Sequence, residues 1–249
     1  MNFTIAEYKD MVKLIQKKGY DICNYHNYLK SDKFVIMRHD VDFDLRKAAK
    51  LAKIEQELGV KSVYFVLLSS DFYNVLSAYN FNCIKEIIDC GHEVGLHFDE
   101  VKYQGLDMKQ IKKMIYEEVK ILEDIIGQRV ETVSMHRPSK QMLESELDLD
   151  YVVNTYGKVF FKDIKYLSDA RMNWREDVFE TIENEKFNKI QLLTHPFWYT
   201  EKELTITDKV KKFVLRAIEE RYKELSFNLR DIESILPREE IYGIKKSKN

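Results

Sequence analysis

The stretch Phe34-Val35-Ile36-Met37-Arg38-His39-Asp40-Val41-Asp42 decides the fold. Its first four residues are an unbroken apolar run, as expected of a strand covered on both faces. His39-Asp40-Val41-Asp42 then places two carboxylates at the end of that strand. Side chains two apart on a strand share a face, so Asp40 and Asp42 point at one spot. Two such anions in a partly buried site repel unless one is protonated or a cation lies between them. A divalent metal resolves the conflict, with one carboxylate as ligand and the other free to act as base. The competing reading makes Asp42 and Asp44 mere caps of the next helix. It accounts for the pair less well than for either residue alone.

Downstream of this strand the sequence alternates. Asp44 caps a helical segment, LRKAAKLAKIEQELG, that stops at Gly59. Ser62 to Leu68 reads as a second strand, Tyr79 to Cys90 as a helix, and His92 to His97 as a third strand. A long amphipathic helix, about Met108 to Ile126, stops at Gly127, and Val130 to His136 follows as a strand. Past Pro138 the pattern blurs, with short strands expected near Tyr151–Val153, Val159–Phe161, Ile164–Leu167 and Ile190–Thr194. The tail from about Leu204 to Ile235 reads as helical, ending in a frayed basic KKSKN. This alternation predicts a parallel sheet or barrel. One catalytic domain over residues 1–249 is the economical reading. It has an N-terminal helix, a core over about 34–199 and a C-terminal helical extension.

Composition narrows the function classes. Hydrophobic residues make up 45% of the 249, charged residues 33%, and the formal net charge is −2. A pI of about 6.3 lacks the basic footprint that nucleic acid requires. No apolar run is long enough to span a membrane. The N-terminus carries no apolar targeting segment, so a cytoplasmic location is expected. Cys23, Cys83 and Cys90 have no metal-binding spacing and read as unpaired, buried thiols.

Five of the six histidines (His39, His92, His97, His136 and His195) fall at or next to strand C-termini in this reading. Prolines follow two of them, in His136-Arg137-Pro138 and His195-Pro196. Catalytic side chains gather at that rim in α/β barrels. Glu93, Gly95 and His97 share a strand face, which leaves His92 on the other with a structural role. His97 is a metal-ligand candidate beside Asp42.

At these residues the chain resembles the polysaccharide deacetylase family, the NodB-homology group of carbohydrate esterases (family 4-like), as a divergent member. The resemblance runs from about Phe34 to Tyr199. It rests on Asp40-Val41-Asp42, Gly91 to His97, Arg137-Pro138, Ser168 to Trp174, and Leu193-Thr194-His195, in that order. It implies an α/β fold, a distorted (β/α)7 TIM-like barrel, and metal-assisted removal of acetyl groups from N-acetylated sugars. By the same resemblance Asp40 is the general base, Asp42 and His97 bind one divalent metal (usually zinc), and Arg137 holds the Asp40 carboxylate. His195 is the general acid, oriented by Asp169. The family's third ligand falls on Val101, which cannot coordinate. His136 is preferred in its place, ahead of Asp99 and Glu100, because it preserves an Asp-His-His set.

Trp174, Trp198 and Tyr199 adjoin the acid, and the two tryptophans are candidates for stacking on a sugar ring. The expected partner is a carbohydrate, nucleotide- or lipid-linked if the compartment is intracellular. The rival readings are a barrel that binds a glycan without hydrolysing it, which Val101 motivates, and an unrelated barrel metallohydrolase. The latter generally opens on His-x-His, which this chain lacks.

Overall fold

The computed structural model describes residues 1–145 and 147–242, and the KKSKN end lies outside them. The chain divides into two compact units, Met1–Glu203 and Leu204–Asn249. The first unit runs α1 (Ile5–Lys17), β1 (Asp21–Cys23), β2 (Phe34–Val41), α2 (Leu45–Glu57), β3 (Val63–Leu67), α3 (Ala78–Asp89) and β4 (Glu93–Asp99). It continues with α4 (Met108–Ile126), β5 (Thr132–His136), α5 (Lys140–Glu144), β6 (Val153–Asn154), β7 (Lys165–Ser168), α6 (Val178–Glu183) and β8 (Lys189–Thr194). Every strand pairing is parallel, in the order β6-β5-β4-β3-β2-β8-β7. The short β1 pairs with Phe34–Ile36 of β2, while β3 pairs with the later residues Arg38–Val41.

The sheet is strongly curved. Neighbouring strands lie about 4.8 Å apart, so in a flat sheet β2 and β5 would stand roughly 14 Å apart. Yet Arg38 of β2 donates to the Ser134 hydroxyl of β5, and its Nη1 reaches Thr155 Oγ1, just past β6, at 2.8 Å. Such bonds form only if the strands curl around a shared interior, the arrangement expected of a distorted barrel.

Alternation along the strands sorts their side chains. Phe34, Ile36, Val63 and Phe65 form an inner aromatic and aliphatic plug with Tyr25 and Phe160. Val41, Tyr64, Val66, Val94, Leu96, Phe98, Val133 and Met135 face outward, against apolar residues of α2, α3 and α4. Asp44 accepts from Arg46 N at the start of α2, and Asp107 forms a capping box with Gln110 at the start of α4. Gly127 ends α4 in the left-handed conformation, φ 69°, which is nearly free of steric penalty only for glycine. Each fully buried Ile or Leu on these faces contributes about 1.5–3 kcal/mol.

Two local expectations change. Val159–Phe161 is part of a π-helical turn, Val159–Asp163, rather than a strand. Phe160 N and Phe161 N both donate to Gly157 O, so the backbone coils on itself instead of pairing with a strand, while the Phe160 ring packs among Tyr25 and Tyr28. His92 precedes β4 and so lies at the N-terminal end of the strand, away from the rim.

The second unit is helical, with α7 (Ile206–Asn228) capped by Thr205, then α8 (Ile232–Ile235) and α9 (Arg238–Tyr242). Among the described residues no helix is long and apolar enough to cross a membrane.

Candidate metal centre and acid–base site

Three strands deliver the cluster. Asp42 follows β2, His97 lies near the end of β4, and His136 is the last residue of β5. Inward-facing Gly95 precedes His97 by two residues. A Cβ there would meet Phe65 Cε1 at 2.5 Å and Thr132 Oγ1 at 2.6 Å, so β4 comes this close to the plug only with glycine.

The ligand atoms of Asp42, His97 and His136 all lie within 4.8 Å of one another. His97 Nε2 is 3.2 Å from Asp42 Oδ1 and 3.1 Å from His136 Nδ1, and His136 Nδ1 is 3.4 Å from Asp42 Oδ1. A tetrahedral ion with bonds of about 2.0–2.1 Å separates its ligand atoms by about 3.3–3.4 Å. The residues present therefore fit a metal. His97 Nδ1 faces the Ser134 carbonyl at 3.1 Å, which makes Nδ1 the N–H of the neutral ring and leaves Nε2 a lone pair. Asp99 and Glu100 are engaged elsewhere, Asp99 by Arg137 and Val101 N, and Glu100 by Ser139 N. Val101 sits exposed on the turn after β4.

The electrostatics favour a cation. Burial pushes the Asp42 carboxyl up, but hydrogen bonds from His136 and His97 and the charge of His195 hold it well below the usual range. Burial likewise works against a charged His97, and Asp40 and Asp42 overcome it, raising its pKa. Both shifts have one origin. It is the attraction between the Asp40 and Asp42 carboxylates and the imidazoles around them.

Asp40 stands beside the cluster, its Oδ2 3.7 Å from His97 Nε2. Arg38 Nη2 donates to both of its oxygens, at 2.7 and 2.9 Å, and both residues are buried. Burial raises the Asp40 pKa, and the Arg38 guanidinium, with His97 and His195, more than offsets it. The expectation that Arg137 holds Asp40 is corrected by the structure. Arg137 is exposed, adopts a left-handed φ of 50° before Pro138, and pairs with Asp99, while Arg38 already fills both oxygens of Asp40.

On the other side, His195 Nε2 lies 3.8 Å from Asp42 Oδ2. Its Nδ1 meets Asp169 Oδ1 at 2.6 Å, and Asp169 Oδ2 accepts from the Tyr199 hydroxyl at 3.0 Å. Burial disfavours the imidazolium, yet Asp169, then Asp42 and Asp40, lift the His195 pKa to about 9. The His195 imidazole is thus protonated at neutral pH, with Nε2 turned to the cluster.

Trp198 is buried, edge-on to Phe197 at 4.9 Å between ring centroids. Trp174 lines a cavity of about 270 Å³ with Met1, Phe3, Met172 and Asp177, and its buried Nε1 has no acceptor among the described residues. His39 faces outward to Glu55 and Thr194. A cavity of about 830 Å³ opens at the opposite, N-terminal strand ends, around Lys61, His92 and Glu131. The sequence reading missed Arg38, Ser134 and Thr155. Period two from Asp40 was the available signal for Arg38, a charge on the inner face of an apolar strand.

No family model and no curated sequence matches this chain. Solved structures do. The chain is similar to family 4 carbohydrate esterases. A family 4 pseudoenzyme from Bacillus anthracis aligns at 15% identity and a TM-score of 0.40, covering 76% of this chain and 61% of the other. A family 4 carbohydrate esterase from Streptomyces lividans, in complex with acetate, aligns at 14% and 0.46, covering 66% and 79%. The chitin deacetylase of Colletotrichum lindemuthianum aligns at 16% and 0.44, covering 73% and 81%. The chain thus spans less than two thirds of the pseudoenzyme's length.

Proposed function

We propose that this chain is a metal-dependent hydrolase that removes an acyl group, N-acetyl foremost, from a sugar. The observation that carries the reading is the triangle Asp42–His97–His136, with Asp40 beside His97 and His195–Asp169 beside Asp42. A base and an acid beside a Lewis-acid site suit amide hydrolysis. The sugar rests on the five motifs in order. Zinc suits the two imidazoles and one carboxylate.

When bound, the divalent ion supplies Lewis acidity to the acyl carbonyl and to water. The chain's own residues handle the protons. Asp40, kept ionised, accepts one from the attacking water. His195 delivers one from Nε2 to the departing nitrogen, while Asp169 holds its Nδ1–H and supports the imidazolium.

Purified protein with added zinc or cobalt is expected to release acetate from N-acetylhexosamine conjugates, and Asp40→Asn to stop it. A panel of free, nucleotide-linked and lipid-linked acceptors then ranks the substrates. No release from any conjugate, with Asp40→Asn equal to wild type, would overturn the reading. If metal analysis also finds no bound ion, glycan binding without turnover takes its place.

A further inference from the structure

The geometry points to Arg38 as the residue that holds and aims Asp40, in place of Arg137 of the Arg-Pro motif. This rests on Asp40 being the base.

The two residues stand on one strand, two positions apart, so β2 alone builds the pair. Arg38 is fully buried and Asp40 nearly so. One guanidinium nitrogen bridges both carboxylate oxygens at 2.7 and 2.9 Å and also donates to the Ser134 hydroxyl. The other terminal nitrogen is fixed on Thr155 Oγ1 at 2.8 Å. The guanidinium carbon lies 4.8 Å from the centre of the Phe65 ring and 5.4 Å from that of Tyr156. Anchors on β5 and beyond β6, with aromatic faces against the plane, leave this side chain little freedom.

Arg137 has none of these features. Its side chain is 61% exposed and is spent on Asp99. Moving it onto Asp40 would break that pair and set a second guanidinium against oxygens Arg38 already occupies. The strand arrangement has a further consequence. A holder on the same strand as the base keeps Asp40 aimed whether or not an ion occupies the cluster. An aspartate free of Arg38 could turn toward His97, 3.7 Å away, and lose its aim.

Arg38 is therefore a positioning residue, tested by double-mutant cycles in urea on the metal-free protein. Arg38→Met leaves the Asp40 charge buried and unpaired, and Arg38→Met with Asp40→Asn removes the conflict. The cycle is expected to give at least tenfold coupling in the unfolding constant. The matching cycle of Arg137→Ala with Asp40→Asn is expected to be additive within twofold. Tenfold coupling of Arg137 with additivity of Arg38 overturns the assignment. If Arg38→Met alone does not fold, folding of the double variant is itself strong coupling, and Arg38→Lys completes the cycle.

In the acetate assay, Arg38→Lys is expected to lower kcat at least tenfold, with KM and bound metal unchanged. A loss that only tracks metal content overturns the positioning role. Absence of turnover in every variant and in wild type would count against the hydrolase reading. The urea cycles decide Arg38 either way.

Discussion

His97 presents Nε2 to Asp42 Oδ1 at 3.2 Å. The ring's other nitrogen, Nδ1, is committed to the Ser134 carbonyl at 3.1 Å, so β5 fixes the tautomer that β4 needs. Ser134 also meets Arg38 through its hydroxyl. One residue thus connects the ligand set to the Arg38–Asp40 pair.

The triangle makes His136 the candidate third ligand. Removal of outer partners typically weakens metal affinity about 10–100-fold, and His136→Ala is expected to exceed that range. Dialysed wild type should retain about one ion per chain by elemental analysis, and His136→Ala, His97→Ala and Asp42→Ala much less. Full retention in His136→Ala, with loss in Asp99→Asn or Glu100→Gln, would move the third ligand to the turn after β4.

The His195 pKa supplies a pH prediction with a definite sign. A general acid must be protonated, so activity falls as pH rises through its pKa, raised here to about 9. Asp169 is the leading favourable cause, followed by Asp42 and Asp40. A bound dication offsets the latter two, so the basic limb of loaded protein should lie below 9. Asp169→Asn should lower it further and reduce kcat by up to about 10²–10⁴-fold, the usual share of the proton donor that Asp169 supports. Histidine NMR titration of metal-free wild type and Asp169→Asn checks the order. An unchanged His195 titration in Asp169→Asn would detach Asp169 from the acid.

Much of the architecture was legible because its signals are local. The run from Phe34, the cap at Asp44 and the stop at Gly127 follow from period, cap chemistry and glycine conformation. Asp42, His97, His136 and His195 stood out as titratable residues where apolar strands end. The partner of Asp40 was harder to read, since motif order favoured Arg137. What decides the matter is sheet curvature, which brings Ser134 and Thr155 within reach of Arg38. Curvature arises from pairings distant in sequence. Grouping His92 with the rim histidines conflicts with its place at the start of the expected strand His92 to His97, and the structure sets it just before β4, at the N-terminal end.

Gly95→Ala tests the close approach of β4 to the plug. The new methyl would stand 2.5 Å from Phe65 Cε1 and 2.6 Å from Thr132 Oγ1, far inside contact distance. Overpacking of this kind destabilises by about 1–3 kcal/mol. The strain falls two residues before His97, so metal affinity should drop together with stability. Urea unfolding and metal titration of the same variant check both. Wild-type values in each would mean that β4 yields without disturbing its ligand.

Glu55 is a fully buried carboxylate on the far face of β2 from the site. It accepts from the hydroxyls of Tyr8, Ser62 and Tyr64, and His39 Nε2 lies 2.9 Å away, so α1, α2, β2 and β3 meet on one side chain. Burial alone would raise its pKa, but His39, His92 and Ser62 outweigh burial and bring it down to about 2. A depressed carboxylate pKa stabilises the fold above the unfolded value, ordinarily 4.5, and that contribution is lost as pH falls toward 2. The gap corresponds to about 3 kcal/mol. Glu55→Gln keeps the shape but replaces one acceptor oxygen with a donor, leaving a buried hydroxyl without a partner. Wild type should therefore lead Glu55→Gln by about 3 kcal/mol at pH 7, and the lead should shrink between pH 4.5 and 2. Urea unfolding of both proteins at pH 7, 4 and 3 measures it. A difference that stays constant with pH would show that the carboxylate charge contributes nothing to the fold.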